Sequence, residues 1–100
     1  MSFGLAKKEI DLIKSVFEKT PEIESVFIYG SRAKGNFKKT SDIDLGVRFA
    51  GNTGGNILKL KSDLSDLPII YEIDATDEKE IQKGNFKTEY EKTKQLFWKK

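Results

Sequence analysis

Asp42 and Asp44 bracket a single isoleucine in "SDIDLGV", and Gly30-Ser31 closes "VFIYG" a short way upstream. Side chains two apart on a strand share one face, with a rise of about 3.3 Å per residue. The two aspartates can therefore converge on one site. Carboxylates held together repel, and each resists ionisation unless a cation compensates. A divalent metal is the natural compensation. Downstream, "YEID" places Glu72 and Asp74 in the same two-apart relationship. If that segment lies beside the first, one or both complete an acidic cluster, and spacing alone does not choose between them.

Gly30 at a strand end lets backbone approach a ligand closely. The N–H groups of the following turn, with the Ser31 hydroxyl, can form an anion-binding nest. Arg32 and Lys34 add positive charge, as do Lys38 and Lys39, and Ser41 completes the expected phosphate-binding set. Oxygen-bound Mg²⁺ usually keeps waters and takes further ligands from substrate phosphates. Two such ions roughly 4 Å apart can clamp an in-line phosphoryl displacement. Phosphate at one end and metal at the other describe a nucleoside triphosphate.

These groups need elements to hold them. Ile10, Ile13, Val16 and Phe17 fall at spacings of three and four, which predicts an amphipathic helix over 5–19 ended by Pro21. "ESVFIYG" reads as a buried strand. "SRAKG" makes one helical turn stopped by Gly35, and "NFKKTS" a polar loop. "DIDLGVRF" alternates, with Ile43, Leu45, Val47 and Phe49 on an apolar face and the aspartates opening the other. "GNTGGN" is a connector. "ILKLKSDLSDL" is a helix stopped by Pro68, with Ile57, Leu60 and Leu64 inward. A third strand is expected over 69–75, then a short helix with Thr76 as N-cap. The last segment, from Asn85, is a charged helix whose end is equally compatible with extended chain. The expected fold is mixed α/β (α+β), a small twisted sheet of three to four strands flanked by helices, in a single domain over 1–100.

Composition removes the competing chemistries. The chain has neither histidine nor cysteine, so imidazole bases, thiol nucleophiles, disulfides and zinc–thiolate sites are excluded. Any metal is held by oxygen, which favours Mg²⁺ or Mn²⁺. A net charge of +2 is too balanced to argue for nucleic acid as a partner. No apolar run approaches the roughly 20 residues that span a membrane, and the N-terminus lacks a secretory pattern, so a cytoplasmic location is expected.

Taken singly, a Gly-Ser after a strand is usually a turn, and an Asp-x-Asp is usually a solvated edge. Lys38 and Lys39 read as solvated loop charges. Phe97 and Trp98 read as cover for the core or a partner rather than as base-stacking rings. Together, however, the glycine closes one strand, the aspartates open the next across a basic loop, and an acidic pair recurs on a third.

In this combination the sequence resembles the minimal nucleotidyltransferases of the DNA polymerase β-like superfamily. Their signature is Gly-Ser, ten residues, then Asp-x-Asp. Gly30-Ser31, the ten residues Arg32 to Ser41, and Asp42-Ile43-Asp44 match it without a gap. "GSRAKG", "SDIDL" and "LPIIYEIDA" extend the similarity, which places the family's third aspartate at Asp74, with Glu72 as the alternative. The resemblance implies a polymerase β-like nucleotidyltransferase fold with Mg²⁺, two ions, on Asp42, Asp44 and Asp74. It implies a triphosphate held at Gly30 and Ser31, and transfer of a nucleoside monophosphate, AMP from ATP, with release of pyrophosphate. Such proteins are often antitoxins of a helical HEPN-type toxin and modify it on a hydroxyl. Lacking a second domain for the base or acceptor, this chain calls for a partner, in a homo- or hetero-oligomer, with "LFWKK" as a candidate contact. The alternative is a non-catalytic module that neutralises a helical partner by occlusion.

Overall fold

Helix α1, Lys7–Glu18, turns Ile13, Val16 and Phe17 inward, as the three-and-four spacing predicts. Its first turn is closed by Glu9, whose carboxylate accepts the Ala6 N–H at 2.9 Å. The computed structural model describes residues 2–51 and 56–100, so most of the "GNTGGN" connector lies outside the described residues. After α1 come β1 (Ile23–Tyr29), the single-turn α2 (Ser31–Lys34), β2 (Ile43–Phe49), α3 (Ile57–Ser65), β3 (Ile73–Asp77), α4 (Glu78–Lys83), α5 (Lys87–Thr93) and β4 (Gln95–Lys99).

The four strands form one mixed sheet in the order β3-β2-β1-β4. β1 runs antiparallel to both β2 and β4, while β2 and β3 are parallel and joined through α3. This is the mixed α/β architecture expected from the sequence. One sheet face, carrying Val26, Ile28, Ile43, Leu45, Val47 and Ala75, packs beneath α1 and α3 with Phe17, Leu60, Leu64 and Phe97. Each fully buried Leu, Ile or Val there contributes roughly 1.5–3 kcal/mol.

The other face is partly covered by α4 and α5, where Tyr29, Ile81 and Tyr90 cluster against Phe27. Tyr90 lies directly on Gly46, where any Cβ would collide with the ring. The alternation that buries Leu45 and Val47 on one face leaves Asp44 on the other, beside this second cluster.

The start of the third strand and the cap of the helix after it differ from expectation, and the open end of the last segment is decided. The third strand begins at Ile73 rather than at residue 69, because 69–72 wrap irregularly, with Ile69 and Tyr71 packed on the core edge. The helix after it is capped by Asp77, whose carboxylate accepts the Lys79 N–H at 3.0 Å, and not by Thr76. Parallel pairing continues to Val47 opposite Asp77, which keeps Thr76 in the strand. The C-terminal helix stops at Thr93, and its extended continuation becomes β4. Phe97 is consequently core, and Trp98 packs on Phe17 at 5.8 Å between ring centres.

Candidate active site

The β2–β3 register sets Asp44 directly opposite Asp74 on the adjacent parallel strand, with Ile43 opposite Ile73. Register and alternation together put Asp44 and Asp74 on one face of the sheet, while Asp42 and Glu72 each precede their strand by one residue. Burial and the charges of Asp74 and Asp42 push the Asp44 carboxyl up to about 6, with Arg32 offsetting part of the effect. Tyr29 is pushed above its ordinary value by burial and then by Asp44 and Asp74, against a hydrogen bond with Thr76.

A cavity of about 230 Å³ joins these groups, lined by Tyr29, Gly30, Asp44, Asp74, Phe86 and Glu89. Glu72 is not among them. It lines a separate hollow of about 340 Å³ with Leu64, Ile69 and Tyr71. Asp42 is exposed at the start of β2, within electrostatic reach of Asp44.

Gly30 occupies φ 76°, ψ −150°, a region essentially reserved for glycine. A Cβ there would stand 2.9 Å from Asp44 Oδ2. Glycine at this position thus does two things: it permits the turn and it leaves Asp44 room. Its N–H donates to Thr93 Oγ1 at 3.0 Å, so the N–H groups that follow in α2 are the ones left to face an anion. Two further bonds fasten the loop to the same C-terminal segment. Gln95 Nε2 donates to the Ala33 carbonyl at 2.7 Å, and Lys34 pairs with Glu89 at 2.7 Å.

Arg32 is placed differently from a phosphate ligand. Its side chain is 1% exposed. Nε and Nη2 donate to the Ser41 carbonyl at 3.2 and 2.9 Å, and Nη1 donates to the Phe3 carbonyl at 2.9 Å. The guanidinium lies 4.5 Å from the Tyr71 ring centre and 5.1 Å from that of Phe37. The first and last residues of the ten-residue spacer are therefore clasped together, which fixes where Asp42 begins. Ser41 Oγ is also used within the loop, accepting the Lys38 N–H at 2.9 Å. Ser31 opens α2 at the rim, partly exposed, and Lys38 and Lys39 are exposed.

The sequence profile described as "Polymerase beta, Nucleotidyltransferase" matches residues 11–100. The chain belongs to that family. A segment of 44 residues is 52% identical to the CCA-adding enzyme of Nanoarchaeum equitans; it is 44% of this chain but 11% of that enzyme's length. A crystal structure of a candidate nucleotidyltransferase from Sulfolobus solfataricus superposes with a TM-score of 0.59 at 29% identity, over 91% of this chain and 77% of the other. A chain of a toxin–antitoxin structure with AMP-PNP superposes with a TM-score of 0.66 over 91% of this chain and 73% of its own, and at 19% identity it shares the fold.

Several residues around this nucleotidyltransferase-family cavity escape a reading of the sequence. Tyr29 stands next to the Gly-Ser pair, but its burial looks like that of any strand aromatic. Phe86, Glu89 and Thr93 reach the cavity and loop only because α5 folds back across the sheet. Their helical spacing of three and four was the available signal. Among the described residues no helix is long and apolar enough to cross a membrane.

Proposed function

We propose that the chain is a nucleotidyltransferase that moves AMP from ATP to a hydroxyl of a partner protein, a helical HEPN-type toxin, as its antitoxin. One observation carries this reading: Asp44 and Asp74 are in register and line one cavity together with Gly30, the glycine that precedes α2. The toxin–antitoxin neighbour with AMP-PNP supports a nucleotide and a protein partner. The CCA-adding relative supports nucleotidyl transfer as the reaction class.

The donor set fits a hard cation. It is all oxygen, and a cation offsets both the burial and the charges of Asp74 and Asp42 that raise Asp44. Among the described residues no three carboxylates are gathered around one point; Asp44 and Asp74 line the cavity, and Asp42 lies within electrostatic reach of Asp44. Mg²⁺, two ions, or Mn²⁺ in its place, held by Asp42, Asp44 and Asp74, would neutralise the triphosphate and lower the pKa of the attacking hydroxyl.

The chain's own residues do the rest. The α2 N–H groups and Ser31 hold the phosphates, and Lys34 at the rim supplies charge once released from Glu89. Arg32 and the Ser41 carbonyl keep the spacer closed, so that Asp42 and Asp44 stay at a fixed distance from Gly30. Asp74 accepts the acceptor hydroxyl's proton or shares in metal binding. The hydroxyl oxygen attacks the α-phosphorus, the α–β anhydride bond breaks, and pyrophosphate leaves.

Incubating the chain and the protein encoded beside it with α-labelled ATP and Mg²⁺ tests this. Label on the partner, absent with Asp42→Ala and Asp44→Ala, is the expected result. No label, or equal label from the variants, overturns it. If the double variant still neutralised the partner, occlusion would be the function instead.

A further inference from the structure

One wall of the cavity has no role in the chemistry above. Phe86 lines it together with Gly30, Asp44 and Asp74, yet its side chain is 68% exposed. The neighbouring aromatics differ. Tyr29 and Tyr90 are buried and meet edge-to-face at 5.0 Å between ring centres. Phe86 is also presented from fixed backbone. It is the N-cap of α5, and its carbonyl accepts the N–H of the fully buried Tyr90 at 2.8 Å.

We propose that Phe86 is the platform on which the nucleobase stacks, an inference that rests on the nucleotidyltransferase reading. A nucleotide is charged at one end and flat and apolar-faced at the other. The cavity offers both kinds of surface, the carboxylates of Asp44, Asp74 and Glu89 with Gly30, and the exposed ring of Phe86. At about 230 Å³ it is smaller than the ~300–1,000 Å³ of pockets that enclose a whole small-molecule ligand. A bound nucleotide must therefore extend past its mouth, and an aromatic ring standing in water there gains contact area when a base covers it. Stacking on a π-face tolerates every base. The ring thus adds affinity for nucleosides over bare polyphosphate without reading base edges.

The test compares two probes on the full chain with Mg²⁺ by calorimetry: an ATP analogue non-hydrolysable at the α–β bond, and inorganic tripolyphosphate. Phe86→Ala is expected to bind the analogue roughly 5- to 150-fold more weakly, the range of a base–aromatic stack. It should bind tripolyphosphate as the wild type does, and Phe86→Trp should retain analogue binding. Equal analogue binding by wild type and Phe86→Ala overturns the platform. So does equal weakening for both probes, which would make Phe86 a structural residue. Wild-type protein that binds neither probe overturns the nucleotidyltransferase reading itself, and the two failures are thereby told apart.

Discussion

Asp44 and Asp74 stand opposite each other on adjacent parallel strands, and burial plus the charges of Asp74 and Asp42 hold the Asp44 carboxyl at about 6 instead of 3.8. The folded chain therefore binds a proton more readily than the unfolded chain between those values. Stability falls as pH rises through that window, and the cost is complete above about pH 6. Asp44→Asn removes it. At 1.36 kcal/mol per unit the ceiling is about 3 kcal/mol, and solvent screening of a half-buried group reduces this to about 1–2 kcal/mol. Metal-free Asp44→Asn should be more stable than wild type by that amount at pH 7.5 and equally stable near pH 3.5, as read by urea denaturation. Mg²⁺ should narrow the gap at pH 7.5 by stabilising the wild type alone. A variant no more stable than wild type at pH 7.5 would refute the electrostatic account.

Glu72 and Asp74 share a strand face in the sequence pattern but line different hollows, and Asp74 alone of the two reaches the cavity with Gly30 and Asp44. Asp74→Asn should slow nucleotidyl transfer by about 10²–10⁴-fold, the scale of losing a positioned base or a ligand. Glu72→Gln should stay within about threefold of wild type. Rates of pyrophosphate release in parallel assays decide the matter, and the reverse ranking would move the third carboxylate to Glu72.

The Gly30 N–H and the Thr93 hydroxyl join the Gly30–Ser31 turn to α5 across 63 residues of chain. Thr93→Val keeps the side-chain volume but leaves that part-buried N–H without its acceptor, at a cost of about 1–3 kcal/mol. For a chain of this size each kcal/mol lowers Tm by roughly 4–8 °C. The loop's position should suffer as well, so KM for ATP is expected to rise more than kcat falls. Thr93→Ser should restore both. A Thr93→Val protein with unchanged Tm and KM would show that the clamp does no positioning.

Much of this arrangement was legible locally. The alternation in "DIDLGVRF" announced β2, its buried face and the side on which Asp44 stands, because a strand has period two. The glycine closing "VFIYG" announced the turn that its positive φ now explains. What escaped depends on contacts remote in sequence. Arg32 has the charge and place of a phosphate ligand, yet Phe3, Phe37, Ser41 and Tyr71 converge to bury it, and no short window contains them all. The irregular path of 69–72 reflects Tyr71 packing on that guanidinium and on the core. Pairing with the edge of β1 decides for β4 between the helical and extended ends that the last segment left open.

Tyr90 offers a check, separate from the reaction, on the sheet face that α4 and α5 cover. Its hydroxyl donates to Glu78 Oε2 at 2.6 Å, while Arg48 Nε donates to Oε1 at 2.7 Å. Burial pushes the Glu78 carboxyl up, but these two hydrogen bonds and the Arg48 charge more than offset it and hold it below the usual carboxylate range. A depressed pKa contributes stability that is present above the ordinary value of 4.5 and is lost as pH falls through the folded value. Tyr90→Phe removes one charge-assisted bond while keeping the ring on Gly46, so the expected loss is about 1.5–3 kcal/mol at pH 7. That loss should shrink as pH falls from 7 towards acid, as Glu78 takes up a proton. Transfer activity at 25 °C should change less than about threefold, since the hydroxyl lies outside the cavity. Thermal melts at pH 7 and pH 3 measure the effect. A penalty of the same size at both pH values would mean that packing, not the Glu78 charge, holds α5 to the sheet.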